Sequence, residues 1–283
     1  MADFDFLGLG EDLNEMVVDA GGYRRIQHMN ENHTLHRGTL IENGGYGIKN
    51  ELGDAPAIKG AKTQTIKHQG GRSSTMLVFT AAEVALIGWT PKYYVAEYDD
   101  PVDAGKRVSN IVPGYIRPDD LPGANGKCRS AVTLFVVLKD DPDKKLWALD
   151  FKGYVADDAQ KMIFAAKALA NDVARQAKAK IVHPFVHWLT LTVGESVMVG
   201  KTDQAPVSPC AWEKDGENIV RTVVTKEDYA HFINLRRELD EYLPQSKYAI
   251  RPTAPALNAP QTNRPALAPA GYTPNAGTGD FNG

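Results

Sequence analysis

The chain has 283 residues, 43% of them apolar and 24% charged, with a formal net charge of −3. That length and apolar content allow a sizeable buried core, which excludes a wholly disordered chain, and the near balance of charge excludes binding of polyanions by overall basicity. There is no run of 18 apolar residues, the acidic stretch Met1–Glu15 has no basic region ahead of an apolar one, and Cys128 and Cys210 lack metal-ligand spacing, so no membrane helix, signal peptide or disulfide framework is expected.

Residues 1–20 read as a mobile acidic arm with apolar anchors at Phe4, Phe6, Leu7 and Leu9. From 21 to about 125, short strand-like runs lie between Gly, Pro and polar residues: Tyr23–His28, Thr39–Ile41, Thr63–His68, Ser74–Phe79 and Tyr93–Tyr98. Thr80–Ile87 is ambiguous, because Ala81-Ala82-Glu83 also suits a helical turn. Ala131–Leu138 and Leu146–Phe151 predict a hairpin across the charged turn Asp140–Lys145. A helix follows, with Asp157 or Asp158 as its cap and Met162, Ile163, Ala166, Leu169, Ala170 and Val173 on one apolar face. Ile181–Val193, Ser196–Val199 and Ile219–Val224 read as further strands. Thr225–Leu243 reads as a second helix, with Thr225 and Asp228 as its start signal. The Pro- and Ala-rich residues 249–283 predict a disordered tail. The expected organisation is therefore an arm (1–20), an α+β nucleic-acid-binding domain (21–248) and a tail (249–283). Its fold is a twisted antiparallel sheet, OB-like in one reading, with two helices.

Several catalytic and metal patterns fail on their spacing. Gly126-Lys127 leads into a strand and has Leu121 where a P-loop needs glycine. His28, His33 and His36 lie within nine residues, yet the segment reads more simply as a solvated loop than as a metal site. His183 and His187 read as core or rim histidines. Asp140, Asp141 and Asp143 are interrupted by Pro142 and by Lys144-Lys145, which breaks a calcium-loop pattern. Nothing marks Ser196 in Gly194-Glu195-Ser196 as a nucleophile, and neither cysteine has a nearby histidine. These observations predict no catalytic residues, no metal and no cofactor.

What remains is a recurrent pairing of cations with rings near strand ends. Such pairs suit a single strand, whose phosphates take cations and whose bases stack on aromatics. The candidates are Arg24 and Arg25; Lys92, Tyr93 and Tyr94; Arg107; Tyr115 and Arg117; Lys127 and Arg129; and Lys152 with Tyr154. Trp89 and Trp147 stand near two of these groups. Trp147, Leu149 and Phe151 alternate onto one strand face that reads as core, which leaves Lys152 and Tyr154 as the better pair of that stretch.

The layout of strands with basic loops and a Pro-rich tail resembles single-stranded DNA-binding proteins of the OB type. The tip Gly279-Asp280-Phe281-Asn282-Gly283 holds only one Asp and one Phe of the acidic-apolar pattern that such tails carry. The acidic arm, Gly22-Tyr23-Arg24-Arg25-Ile26-Gln27, Lys127-Cys128-Arg129-Ser130 and the strand-Lys-Gly-helix unit at 146–170 resemble a loosely characterised family. That family is encoded on phages and plasmids and is thought to bind single-stranded DNA, and the resemblance spans about residues 5–190. It implies a non-enzymatic protein of phage or plasmid replication and recombination in the cytoplasm of a bacterial host cell. The implied partners are single-stranded DNA, replication or recombination proteins and further copies of the chain, and no membrane. The rival expectation is a phage structural or assembly protein that clasps its neighbours with its N-terminal arm and C-terminal tail.

Overall fold

An apolar run without polar alternation, such as Ala131–Leu138, is stable as a strand only when both of its faces are covered. In the computed structural model this run lies at the centre of a sheet with a helix packed on each face. The structure describes residues 23–30, 44–53, 55–67, 73–99, 107–112, 128–179, 182–199 and 205–243, all within the compact unit Met1–Ile250. The strands ahead of the centre are β1 (Arg24–Met29), β2 (Gly45–Lys49), β3 (Lys62–Lys67), β4 (Ser73–Phe79), β5 (Ala81–Trp89), β6 (Tyr93–Asp99) and β7 (Arg107–Val112). The central hairpin is β8 (Cys128–Leu138) and β9 (Leu146–Lys152), and helix α1 (Val155–Ala177) follows it. After a 3-10 turn at Pro184–Val186 come β10 (His187–Val193), β11 (Val197–Val199), β12 (Ala205–Val207) and β13 (Cys210–Trp212). The chain then forms β14 (Lys214–Asp215), β15 (Asn218–Ile219), β16 (Arg221–Val223) and helix α2 (Lys226–Tyr242).

Among the described residues, twelve strands form one sheet along the path β13-β10-β5-β8-β9-β1-β2-β4-β3. On it, β16 joins β10, and β7 joins β6, which pairs with β8. Every ladder of this sheet is antiparallel except β1 with β9. The α+β class and the two helices are as expected. The sheet, however, is mixed rather than purely antiparallel, and the OB-like closure is not seen among the described strands. Period-2 patterning places side chains on faces but carries no information about strand partner or direction.

The ladder parity sorts the core. Val132, Leu134, Val136, Trp147, Leu149 and Phe151 pack with Met162, Ile163 and Ala166 of α1. Their neighbours Ala131, Phe135, Val137 and Ala148 pack on the opposite face with Phe232 and Leu239 of α2. The ambiguous segment at 80–87 is strand β5, whose residues Val84 to Gly88 are buried on both faces. A register shift between Leu86 and Gly88 then brings Gly88 under α2, where an added Cβ would lie 2.5 Å from Leu239 Cδ2.

Helix α2 starts as expected: the Thr225 hydroxyl accepts a hydrogen bond from the Asp228 amide at 3.0 Å. Helix α1 departs from expectation. Its N-cap is Tyr154 with no side-chain cap, and Asp157 and Asp158 lie inside the first turn, where their charge complements the positive end of the helix dipole. The strand expected from Ile181 begins only at His187, because Pro184 fits the first position of a 3-10 turn and cannot donate to a ladder. The arm 1–20, the strand at Thr39–Ile41, His33, His36 and the tail 249–283 lie outside the described residues.

Candidate nucleic-acid interface

Ladder register decides which of the expected residues meet. Ala131 pairs with Lys152 on one side and with Tyr93 on the other, and Ser130 pairs with Tyr94. The β8–β9 ladder extends one step past β9 through a 2.7 Å bond from the Gly153 amide to the Ser130 carbonyl. Gly153 then turns the chain into α1 with φ of 69°, a conformation that glycine adopts without penalty. An added Cβ there would lie 4.0 Å from Arg129 Cδ, so the Arg129 stem runs beside this turn. Lys152 and Arg129 are exposed, and Tyr154 is 60% exposed. Lys92 reaches the same corner from the start of β6, where its Nζ donates to Asp157 Oδ1 at 2.9 Å. Half-buried Tyr94 lies on the strand face opposite Tyr93. The corner at the Gly153 turn therefore has two sides: Arg129 and Lys152 stand on the sheet face that carries α2, Tyr94 on the face that carries α1, and Lys92 and Tyr154 at the start of α1.

The other expected residues do not belong to that corner. Tyr93 is only 2% exposed, and its hydroxyl lies 2.8 Å from Thr133 Oγ1, so it is a core residue and not a stacking platform. Thr133 donates to Asp150 Oδ1 at 2.6 Å, and Arg25 donates to Asp150 Oδ2 at 2.6 Å. This Arg25–Asp150–Thr133–Tyr93 chain crosses four strands and satisfies a carboxylate within the sheet face. Arg25 is thereby committed to an internal ion pair. Arg24 lies over the Trp147 ring at 4.9 Å, opposite the beginning of β9, whereas Lys152 ends that strand about 16 Å away at the strand rise. Arg107 is placed only through its backbone pairing with Asp99. Tyr115, Arg117 and Lys127 lie outside the described residues.

The acidic residues near the corner are largely spoken for. Asp157 holds Lys92, and Asp158 accepts from Lys161 at 2.9 Å. At the far end of the hairpin, Asp141 is buried and accepts from Trp147 Nε1 at 2.9 Å and from the backbone amides of Asp143 and Lys145. It organises the turn from inside. No group of three metal-ligating side chains occurs among the described residues. His28 places Nε2 3.0 Å from the Ser208 carbonyl, and Ser196 Oγ lies 3.0 Å from Ser208 Oγ. Burial pushes the Cys210 thiol up to about 12, which makes it a poor nucleophile.

Two exposed side chains further along α1 are not among the residues the sequence singles out. Phe164 is 68% exposed on α1, and Lys167 sits with its Nζ 5.2 Å from the centre of the Trp89 ring. Helical spacing sets the polar Lys167 outside the apolar series Met162, Ile163, Ala166, Ala170 that α1 buries, whereas the apolar Phe164 is told from that series only by the packed face. Comparison with family models, with curated proteins and with solved structures gives no match.

Proposed function

We propose that this protein binds single-stranded DNA without catalysing a reaction, through the corner formed by Lys92, Tyr94, Arg129, Lys152 and Tyr154. The reading rests on the exposed grouping of Arg129, Lys152 and Tyr154. Two cations and a ring stand clear of the core at a glycine turn, where a passing strand can offer phosphates to the first two and a base to the third. A tyrosine with a structural role would be expected to bury its ring, and Tyr154 leaves most of its surface in water. The net charge of −3 fits a binder that relies on a local basic surface. The protein then acts in phage or plasmid replication or recombination by holding and presenting the strand.

The test is a fluorescence-anisotropy titration of a labelled oligonucleotide at two salt concentrations. Lys152→Ala should weaken binding and lower the salt slope by roughly one phosphate's worth. Tyr154→Ala should cost about 1–3 kcal/mol of binding with little change in that slope, because stacking is not ionic. Unchanged binding in both variants would remove this corner as the interface.

A further inference from the structure

We propose that the bound strand continues from this corner along the outer side of α1 to a second contact station, formed by Phe164 and Lys167 and backed by Trp89. This inference rests on the reading above and adds a direction and a length to it.

Two contacts tie the junction of β5 and β6 to the flank of α1. Lys92 bonds Asp157 near the start of the helix, and Lys167 covers Trp89 ten residues further along it. Ten helical residues span about 15 Å, so the seam between helix and strand runs along α1 over that distance. Two exposed rings stand along the same stretch of helix, Tyr154 at the N-cap and Phe164 about 15 Å beyond on the outer side. That interval accommodates about four nucleotides at a stacked rise of roughly 3.4 Å.

The second station has the parts of the first. Phe164 and Lys167 are three residues apart and therefore neighbours on the helix surface. The Lys167 ammonium is exposed and has no carboxylate partner among the described residues, so a phosphate meets no internal competitor for it. Trp89 is half-buried and holds that ammonium in place through its ring face. Arg236 of α2 also approaches the Trp89 ring, at 5.9 Å, but it is engaged by Asp240 and by the Ile87 carbonyl and acts as a clamp between helix and sheet. The charges along the path are Arg129, Lys152, Lys92 with Asp157, Lys161 with Asp158, and Lys167. The first two stand at the strand ends where the path begins, on the sheet face that carries α2, and those along α1 itself leave an excess of one cation, Lys167, for a phosphate.

The chain carries its own probe for this path. Of its four tryptophans, Trp147, Trp188 and Trp212 are 1%, 4% and 4% exposed, and Trp89 alone is half-buried. The experiment pairs anisotropy of labelled oligo(dT) with the intrinsic fluorescence of the full chain. Binding should change the tryptophan emission, and Trp89→Phe should remove most of that change. Phe164→Ala should weaken binding roughly 5- to 100-fold, and Lys167→Ala should lower the salt slope by roughly one. Both variants should keep the wild-type Tm, since both side chains lie outside the core. Wild-type affinity in both, while Tyr154→Ala and Lys152→Ala still weaken binding, overturns the second station and leaves the corner standing. Binding without any change in tryptophan emission overturns it as well. No binding by the wild-type protein at low salt overturns both readings.

Discussion

At the residue scale, the same side-chain types serve opposite ends depending on which strand face they occupy. Tyr93 and Tyr94 are adjacent and chemically identical, yet one closes a hydrogen-bonded chain in the core and the other stands half-buried on the opposite strand face. Acidic residues divide in the same way. Asp143 lies at the surface with Lys145, whereas Asp141 holds the hairpin turn from within. Replacing Asp141 by Ala would strand the buried Trp147 indole N–H and release two turn amides. The expected loss of stability is about 1–3 kcal/mol. Asp141→Asn keeps one accepting oxygen and should lose less. Denaturant unfolding of the two variants checks the order.

At the element scale, α2 depends on one local signal and one tertiary fit. Thr225 satisfies the Asp228 amide at the helix start, so Thr225→Ala should cost about 1 kcal/mol, read from chemical denaturation. The fit lies where the β5 irregularity brings Gly88 beneath the helix. A methyl there would press on Leu239, which is fully buried, and on the Arg236 guanidinium. Gly88→Ala should therefore destabilise by about 1–3 kcal/mol through overpacking. A neutral result would mean that α2 shifts freely on the sheet. Helix α1 is held differently, by a long apolar stripe and by the Trp212 indole bonded to the Met162 carbonyl at 2.8 Å, so it needs no side-chain cap.

At the scale of the whole molecule, covering both faces of a wide sheet places titratable groups under the edges of the core. Burial holds His187 below its usual range, with Arg221 adding to the effect. Burial lowers His183 as well, where Arg236 adds to it and Asp240 opposes it. For each histidine the folded state favours the neutral ring, so below the unfolded value of 6.5 the unfolded chain binds more protons. Stability should therefore fall as pH drops from about 6.5 toward the lower folded values and be unaffected by these groups above that. Thermal unfolding between pH 7.5 and 5.5 measures this, and an unchanged Tm would show that the two rings gain their protons without cost to the fold.

Sequence alone determined what local chemistry controls. Thr225 and Asp228 marked the start of α2, and the apolar runs on either side of Asp140–Lys145 marked the central hairpin. Alternation in Trp147–Phe151 assigned the core face, and Lys152 and Tyr154 stood out as the pair beyond it. Each of these depends on residues within a few positions of one another, so their order in the chain carries the information. Tertiary structure decided the rest. That Arg25 is spent on Asp150, 125 residues away, that β1 runs parallel to β9, and that Lys92 and Arg129 meet Lys152 at one corner follow from strand partners that no local pattern encodes. The exposure of Phe164 was decided the same way. An apolar residue on a helix is read as core until the packed face is known, and here that face turns Phe164 to solvent.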